Sequence, residues 1–151
     1  MVEAQTAKWL HTTPPVAILD AASALTTEID TKGWNYAEIS VGIGASDIAM
    51  TALAVTESDS AGSGHANVTG LIFGTSTNVD GSTSALPSAT DDNQLHVFQV
   101  DLRGRKRYLD VTATAGDGSA GTFVAIQTRL SRGVTAPTTA AEAGAAEILR
   151  V

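Results

Sequence analysis

The sequence predicts an all-β protein, a jelly-roll or Greek-key sandwich, and three observations carry that expectation. From residue 16 to 133 the larger apolar residues fall into eight short runs rich in Val, Ile, Thr and aromatics, separated by Gly, Ser, Asn and Asp clusters. No segment in that range sustains a 3.6-residue apolar period long enough for a substantial helix. The connections are both short and long and no fixed-period repeat occurs, which fits a sandwich better than a propeller.

Each element follows from its residues. Residues 1–14 are polar apart from Trp9 and Leu10 and end at Pro14-Pro15, where proline excludes helix across the junction. An extended N-terminal arm is expected there. The first runs are 16–19 and 25–31. The third carries Trp34, Tyr36, Ile39, Val41 and Ile43; Trp34 and Tyr36 share a face and are expected to anchor the core. In 49–57, Met50, Ala52, Ala54 and Thr56 face one side, Leu53 and Val55 the other. Runs at 68–73, 95–102 and 107–114 follow. The last, 122–130, alternates Phe123, Ala125, Gln127 and Arg129 against Val124, Ile126, Thr128 and Leu130. Beyond Gly133 the chain is Ala-rich. Thr139, three residues before Glu142, can form a capping box for a short helix over 140–149, which Gly144 weakens. The organisation is thus an arm (1–14), a sandwich domain (15–133) and a C-terminal tail (134–151), both ends expected to order against another surface.

Composition narrows the function. Ala, Gly, Ser and Thr make up 71 of the 151 residues, leaving 40 larger apolar residues, enough for one core. The formal net charge of −7 argues against direct nucleic-acid or anionic-membrane binding, since both partners are polyanions. No apolar run approaches the ~20 residues that span a bilayer. The start has no basic segment followed by an apolar one, so synthesis in a cytoplasm without secretion is expected. There is no cysteine to form a disulfide, a thiolate metal site or a thiol nucleophile.

The chemical motifs point away from catalysis. Residues 116–121 spell G-x-G-x-x-G, but a dinucleotide site needs the motif to open a helix. Here it lies between two strand-like runs, and a hairpin connection is expected. His11, His65 and His96 sit on separate segments without a second ligand three or four residues away. The acidic residues near the loops do not follow calcium-loop spacing. Ser63, flanked by glycines and next to His65, lacks the fixed geometry of an activated nucleophile. No cofactor, metal or catalytic residue is expected, and the protein is expected not to be an enzyme. Two polar loops, 58–67 and 74–93, are long enough to suggest surface contacts.

The local exception is basic. Arg103, Arg105, Lys106 and Arg107 are four of the nine Lys and Arg residues, gathered around Gly104 at a turn. They can contact nucleic acid, a reading that competes with the acidic remainder and the lack of interleaved aromatics other than Tyr108. They can also pair with the chain's own carboxylates, such as Asp101 and Asp110, or hold an acidic patch on a protein neighbour. Trp9 and Leu10 can anchor the arm on a partner or fold back onto the domain. Trp9, Leu10, Arg103, Arg105, Lys106 and Arg107 are therefore the candidate partner interface.

The stretch Leu86-Pro87-Ser88-Ala89-Thr90-Asp91-Asp92-Asn93 and the following residues from Val97 to Val111 resemble small virion structural proteins encoded in the head-gene modules of tailed bacteriophages. Thr112 to Gly116 and the closing Leu130-Ser131-Arg132 extend that resemblance over about residues 25–132. It implies a capsid cement or decoration protein on the outside of the assembled head, with the major capsid protein as partner. Oligomers matching the axes of a shell are expected, a trimer favoured over a dimer. The alternatives are a tail or head–tail connector component and a carbohydrate- or receptor-binding sandwich.

Overall fold

The structure, a computed structural model, describes residues 3–15 and 18–149. Among them a short 3-10 helix (Glu3–Thr6) precedes nine strands: β1 (Lys8–Thr13), β2 (Ile18–Leu19), β3 (Ile29–Asp30), β4 (Tyr36–Ser46), β5 (Ala52–Ser58), β6 (Ala66–Ile72), β7 (Leu95–Asp101), β8 (Tyr108–Thr114) and β9 (Thr122–Ser131). They form two antiparallel sheets. The first is ordered β1-β9-β4-β7, with β2 also on β9, and the second is β3-β8-β5-β6. The chain is an all-β sandwich.

Pairing is nested. β1 pairs with β9, β3 with β8, β4 with β7 and β5 with β6, while β4–β9 and β5–β8 contacts close each sheet. Period-two patterning explains how two sheets share one core. Along β4, Ala37, Ile39, Val41 and Ile43 are buried while Glu38, Ser40 and Gly42 are half-exposed. The inward residues Val124, Ile126 and Leu130 of β9 join them, and Leu53, Val55, Leu109 and Val111 answer from the second sheet.

The N-terminal segment departs from expectation. Residues 8–13 are not a free arm but an edge strand. Leu10 lies half-buried against the core, and the buried Thr12 hydroxyl hydrogen-bonds that of Thr128 at 2.7 Å. β1 and β2 lie along the same side of β9, opposite residues 126–130 and 122–123. Pro14-Pro15 falls between them, where the pairing along this edge of β9 is interrupted.

Three further differences have local causes. Trp34 precedes β4 and packs partly buried against the core, but Tyr36 lies on the opposite, outer register with Glu38 and Ser40, under the Arg132 guanidinium at 5.6 Å. The 116–121 segment is not a hairpin connection, because β8 and β9 belong to different sheets. The capping box forms: the Thr138 and Thr139 amides donate to the Glu142 carboxylate, and the Glu142 amide donates to Thr139 Oγ1. Yet no helix follows over 140–149 among the described residues. Gly144 turns into the left-handed region at φ +74°, ending the turn, and the Ala143 carbonyl accepts the Trp9 amide at 2.8 Å instead of a helical N–H. The tail thereby covers the free edge of β1.

Candidate interaction surface

The basic turn joins β7 of the first sheet to β8 of the second, and each of its four cations faces a carboxylate of its own chain. Arg103 forks onto Asp101, with Nε 2.9 Å from Oδ1. Arg107 forks onto Asp30 at 2.8 and 2.7 Å, with its guanidinium 4.8 Å above the Tyr108 ring. Arg105 lies 3.6 Å from Glu57 and Lys106 4.0 Å from Asp59. Asp101 is thus the partner its sequence position suggests, whereas Asp110 is not: its carboxylate accepts the Val111 amide. Exposed ion pairs contribute little individually to stability. What they do here is orient the turn, because forked Arg contacts fix two groups at once.

Those pairs carry a pH signature. The Arg107 guanidinium beside Asp30, and the Arg103 guanidinium beside Asp101, hold both carboxyls down at about 2. Both start from an ordinary 3.8, so the folded state binds these protons less readily than the unfolded chain. Their stabilisation is fully present above about pH 4 and disappears as the pH falls through about 2. The melting temperature is therefore expected to drop between pH 4 and pH 2, and Asp30→Asn with Asp101→Asn should flatten part of that drop. Melting curves across this range check it; an unchanged slope in the double variant would show that these pairs do not contribute.

The glycine-rich segment after β8 does bind an anion, but an internal one. The amides of Ser119, Ala120 and Gly121 converge on the Asp47 carboxylate, with Ala120 N at 2.6 Å, and the Gly118 amide donates to Asp20 at 2.9 Å. The Ala120 and Ser119 amides hold the Asp47 carboxyl below its usual range. The donors that would cradle a phosphate are thus already occupied, and the loop pins the crossover between sheets. His65 is similarly engaged. Its Nε2 lies 2.7 Å from Glu28, which also accepts the Gly62 amide, so this contact ties the 58–67 loop to residue 28. Ser63 bonds through its backbone: its carbonyl accepts Ser58 Oγ at 2.5 Å and its amide donates to the Ser60 carbonyl at 3.5 Å. Among the described residues no group of three or more His, Asp and Glu is placed to hold a metal.

The 74–93 loop is built rather than loose. Thr77 and Thr83 form a bridge, Ser84 bonds back to Ser76, and the Pro87 carbonyl accepts the Met50 amide at 2.8 Å. Its first turn walls a cleft of about 640 Å³ beside β7, lined by Leu71, Phe73, Val79, Val97 and Gln99 among others.

The outer face of the five-stranded sheet is the feature that the sequence patterning did not single out. Register sets Trp9 beside Arg129 and Glu38, His11 beside Gln127, Ser40 and Val97, and Ala125 beside Gly42 and Leu95. The centre is therefore lined by small residues. Around it Trp9, Ile18, Leu95, Val97 and Phe123 remain exposed. Phe123 lies across Gly44, where a Cβ would collide with its side chain. Trp9 keeps its ring outward near Arg129, with 5.8 Å from guanidinium to ring centroid, while Leu10 points to the core. Of the predicted contact pair, only Trp9 presents its side chain outward. The 122–130 alternation already grouped Phe123 with Ala125, but which group faces outward depends on where the second sheet packs.

Comparison with protein-family models, with curated proteins and with solved structures finds no match.

Proposed function

We propose that this chain is a non-enzymatic virion structural protein, a cement or decoration protein that binds the outside of an assembled phage head. The nested strand order reads as a jelly roll, and the partner in this reading is the major capsid protein. The observation that carries it is the outer face of the first sheet, whose small residues Ser40, Gly42 and Ala125 are ringed by exposed Trp9, Ile18, Leu95, Val97 and Phe123. A broad face with apolar anchors suits adhesion, because a partner gains by covering those side chains without needing a cofactor or a reacting group. Binding the assembled shell in preference to its free subunits stabilises the shell by mass action. The basic turn has a supporting role here, since its cations already hold carboxylates of the chain.

The test is co-sedimentation of purified protein with phage heads, which should show saturable binding at a fixed ratio to capsid subunits. Phe123→Glu is expected to weaken binding by about tenfold or more while the domain stays folded. Binding to cell-surface glycans with none to heads would overturn the reading.

A further inference from the structure

His96 is placed unlike the other two histidines of the chain. It stands opposite Val41 in the register of β7 with β4, on the same inward side as the buried Phe98 and Val100. Its Nδ1 is buried and has no hydrogen-bond partner among the described residues. His11 and His65 each have a polar neighbour instead: His11 Nε2 lies 3.2 Å from the Gln127 amide nitrogen, and His65 Nε2 2.7 Å from Glu28.

What the His96 ring touches is the root of the 74–93 loop. Phe73 meets it edge-on with ring centroids 5.4 Å apart, and meets Phe98 in the same way at 4.9 Å. Phe73 is tied to the second sheet, since its amide donates to the Leu53 carbonyl of β5. The three rings therefore bridge β7 of one sheet to the end of β6 in the other. Directly after Phe73 the chain turns at Ser76, whose amide donates to the Ile72 carbonyl and whose hydroxyl accepts the Ile72 amide, and enters the hairpin closed by Thr77 and Thr83. That hairpin walls the cleft beside β7, and Phe73 and Phe98 line it.

The surroundings of the ring are poor in charge. Val41 faces it from β4 with Ile39 and Ile43 on the diagonals, Phe98 lies two residues along its own strand, and Phe73 covers it from the end of β6. Asp91, in the turn before β7, is the charged group whose field reaches it. An imidazolium donates from both nitrogens, so a charged His96 would bury an N–H without an acceptor. Burial accordingly pushes the imidazole below its ordinary 6.5, against the pull of Asp91. Asp91 stays ionised in mild acid, because the Ser88 amide and hydroxyl hold its carboxyl below the usual range. It offers the charged ring a partner that the interior lacks.

We propose that His96 is an acid-released latch on the cleft: the neutral ring holds Phe73, and with it the 74–84 hairpin, against β7, and protonation turns the ring out and frees the hairpin. Linkage gives the direction. The closed form binds the proton less readily than the open one, so closure is at full strength above about pH 6.5 and weakens as the pH falls below it. The ratio of open to closed rises up to about tenfold per pH unit and levels off once the latched ring itself titrates. The latch acts on the cleft and not on the outer face of the first sheet, so it and head binding can fail separately.

The experiment uses the full chain, which contains no cysteine to interfere with labelling. Val79 and Gln99 line the cleft from opposite walls and both are exposed, so spin labels on Val79→Cys with Gln99→Cys report the opening as a distance. From about pH 7.5 to about pH 5 a longer distance should appear and grow, with a fall-off that tracks the His96 titration followed by NMR. His96→Phe keeps a ring against Phe73 but cannot titrate, and should hold the short distance throughout; His96→Gln, also uncharged in this range, should remove the pH dependence as well. His11→Gln and His65→Gln should leave it intact. A distance that does not change with pH in the otherwise wild-type chain would overturn the proposal, as would a change that persists in His96→Phe or His96→Gln, or a His96 ring that titrates at the ordinary 6.5.

Discussion

Leu130→Ala is expected to lower the free energy of unfolding by about 2–5 kcal/mol, the range for removing a fully buried Leu side chain. The position is severe for a topological reason. Leu130 is fully buried on β9, and β9 bonds β1 and β2 on one side and β4 on the other. The lost side chain leaves a cavity beneath a strand whose neighbours on both sides limit how far it can relax. Urea unfolding followed by circular dichroism measures the change. Phe123→Ala on the same strand provides the contrast, since its half-exposed ring faces outward and its removal should cost less than half as much. A loss below about 1 kcal/mol in Leu130→Ala would show that the core collapses around the gap.

Gly144→Val should release the C-terminal tail. The residue holds φ at +74°, and a Cβ there would run into the Trp9 carbonyl oxygen. Left-handed backbone costs a β-branched residue about 1–3 kcal/mol, and the collision adds to it. With the tail displaced, the Trp9 amide loses the Ala143 carbonyl and the β1 edge opens to solvent. The expected result is faster hydrogen exchange at the Trp9 amide, together with faster proteolysis of the tail. Gly104→Ala separates the two causes: Gly104 has φ +82° but open space around its would-be Cβ, so it reports strain alone. Equal behaviour of the two variants would mean that the Trp9 contact contributes nothing.

Both predictions concern features that differ in how far the sequence exposed them. Leu130 belongs to an alternating run, and alternation is local, so its grouping with Val124, Ile126 and Thr128 was readable, while the side that faces the core was set by the second sheet. The tail is the opposite case. Thr139 and Glu142 form their predicted capping contacts, but the helix they would start competes with an edge strand more than a hundred residues away. The same distance hid β1. Its one apolar inward side chain is Leu10, beside the buried Thr12 and Thr13, and an apolar pattern that thin is visible only once β9 lies beside it.

The basic turn shows how a local signal can be read correctly and still leave its role open. Its position, its flanking strands and the Asp101 partner were visible in the chain. The other carboxylates were not, since Asp30, Glu57 and Asp59 reach Arg107, Arg105 and Lys106 only through the pairing of β8 with β3 and β5. Likewise the glycine-rich segment was expected as a hairpin connection, and that its amides close on the Asp47 carboxylate depends on a residue more than seventy positions away.

By itself the sequence determined the fold class, eight of the nine strands and the two alternating faces of β9, because each rests on spacing within a few residues. Tertiary structure decided the rest: which strands became edges, which apolar side chains were left on the outer face, and which charges were neutralised. Those outcomes depend on contacts between segments far apart in the chain, where local pattern carries no information about which groups will meet.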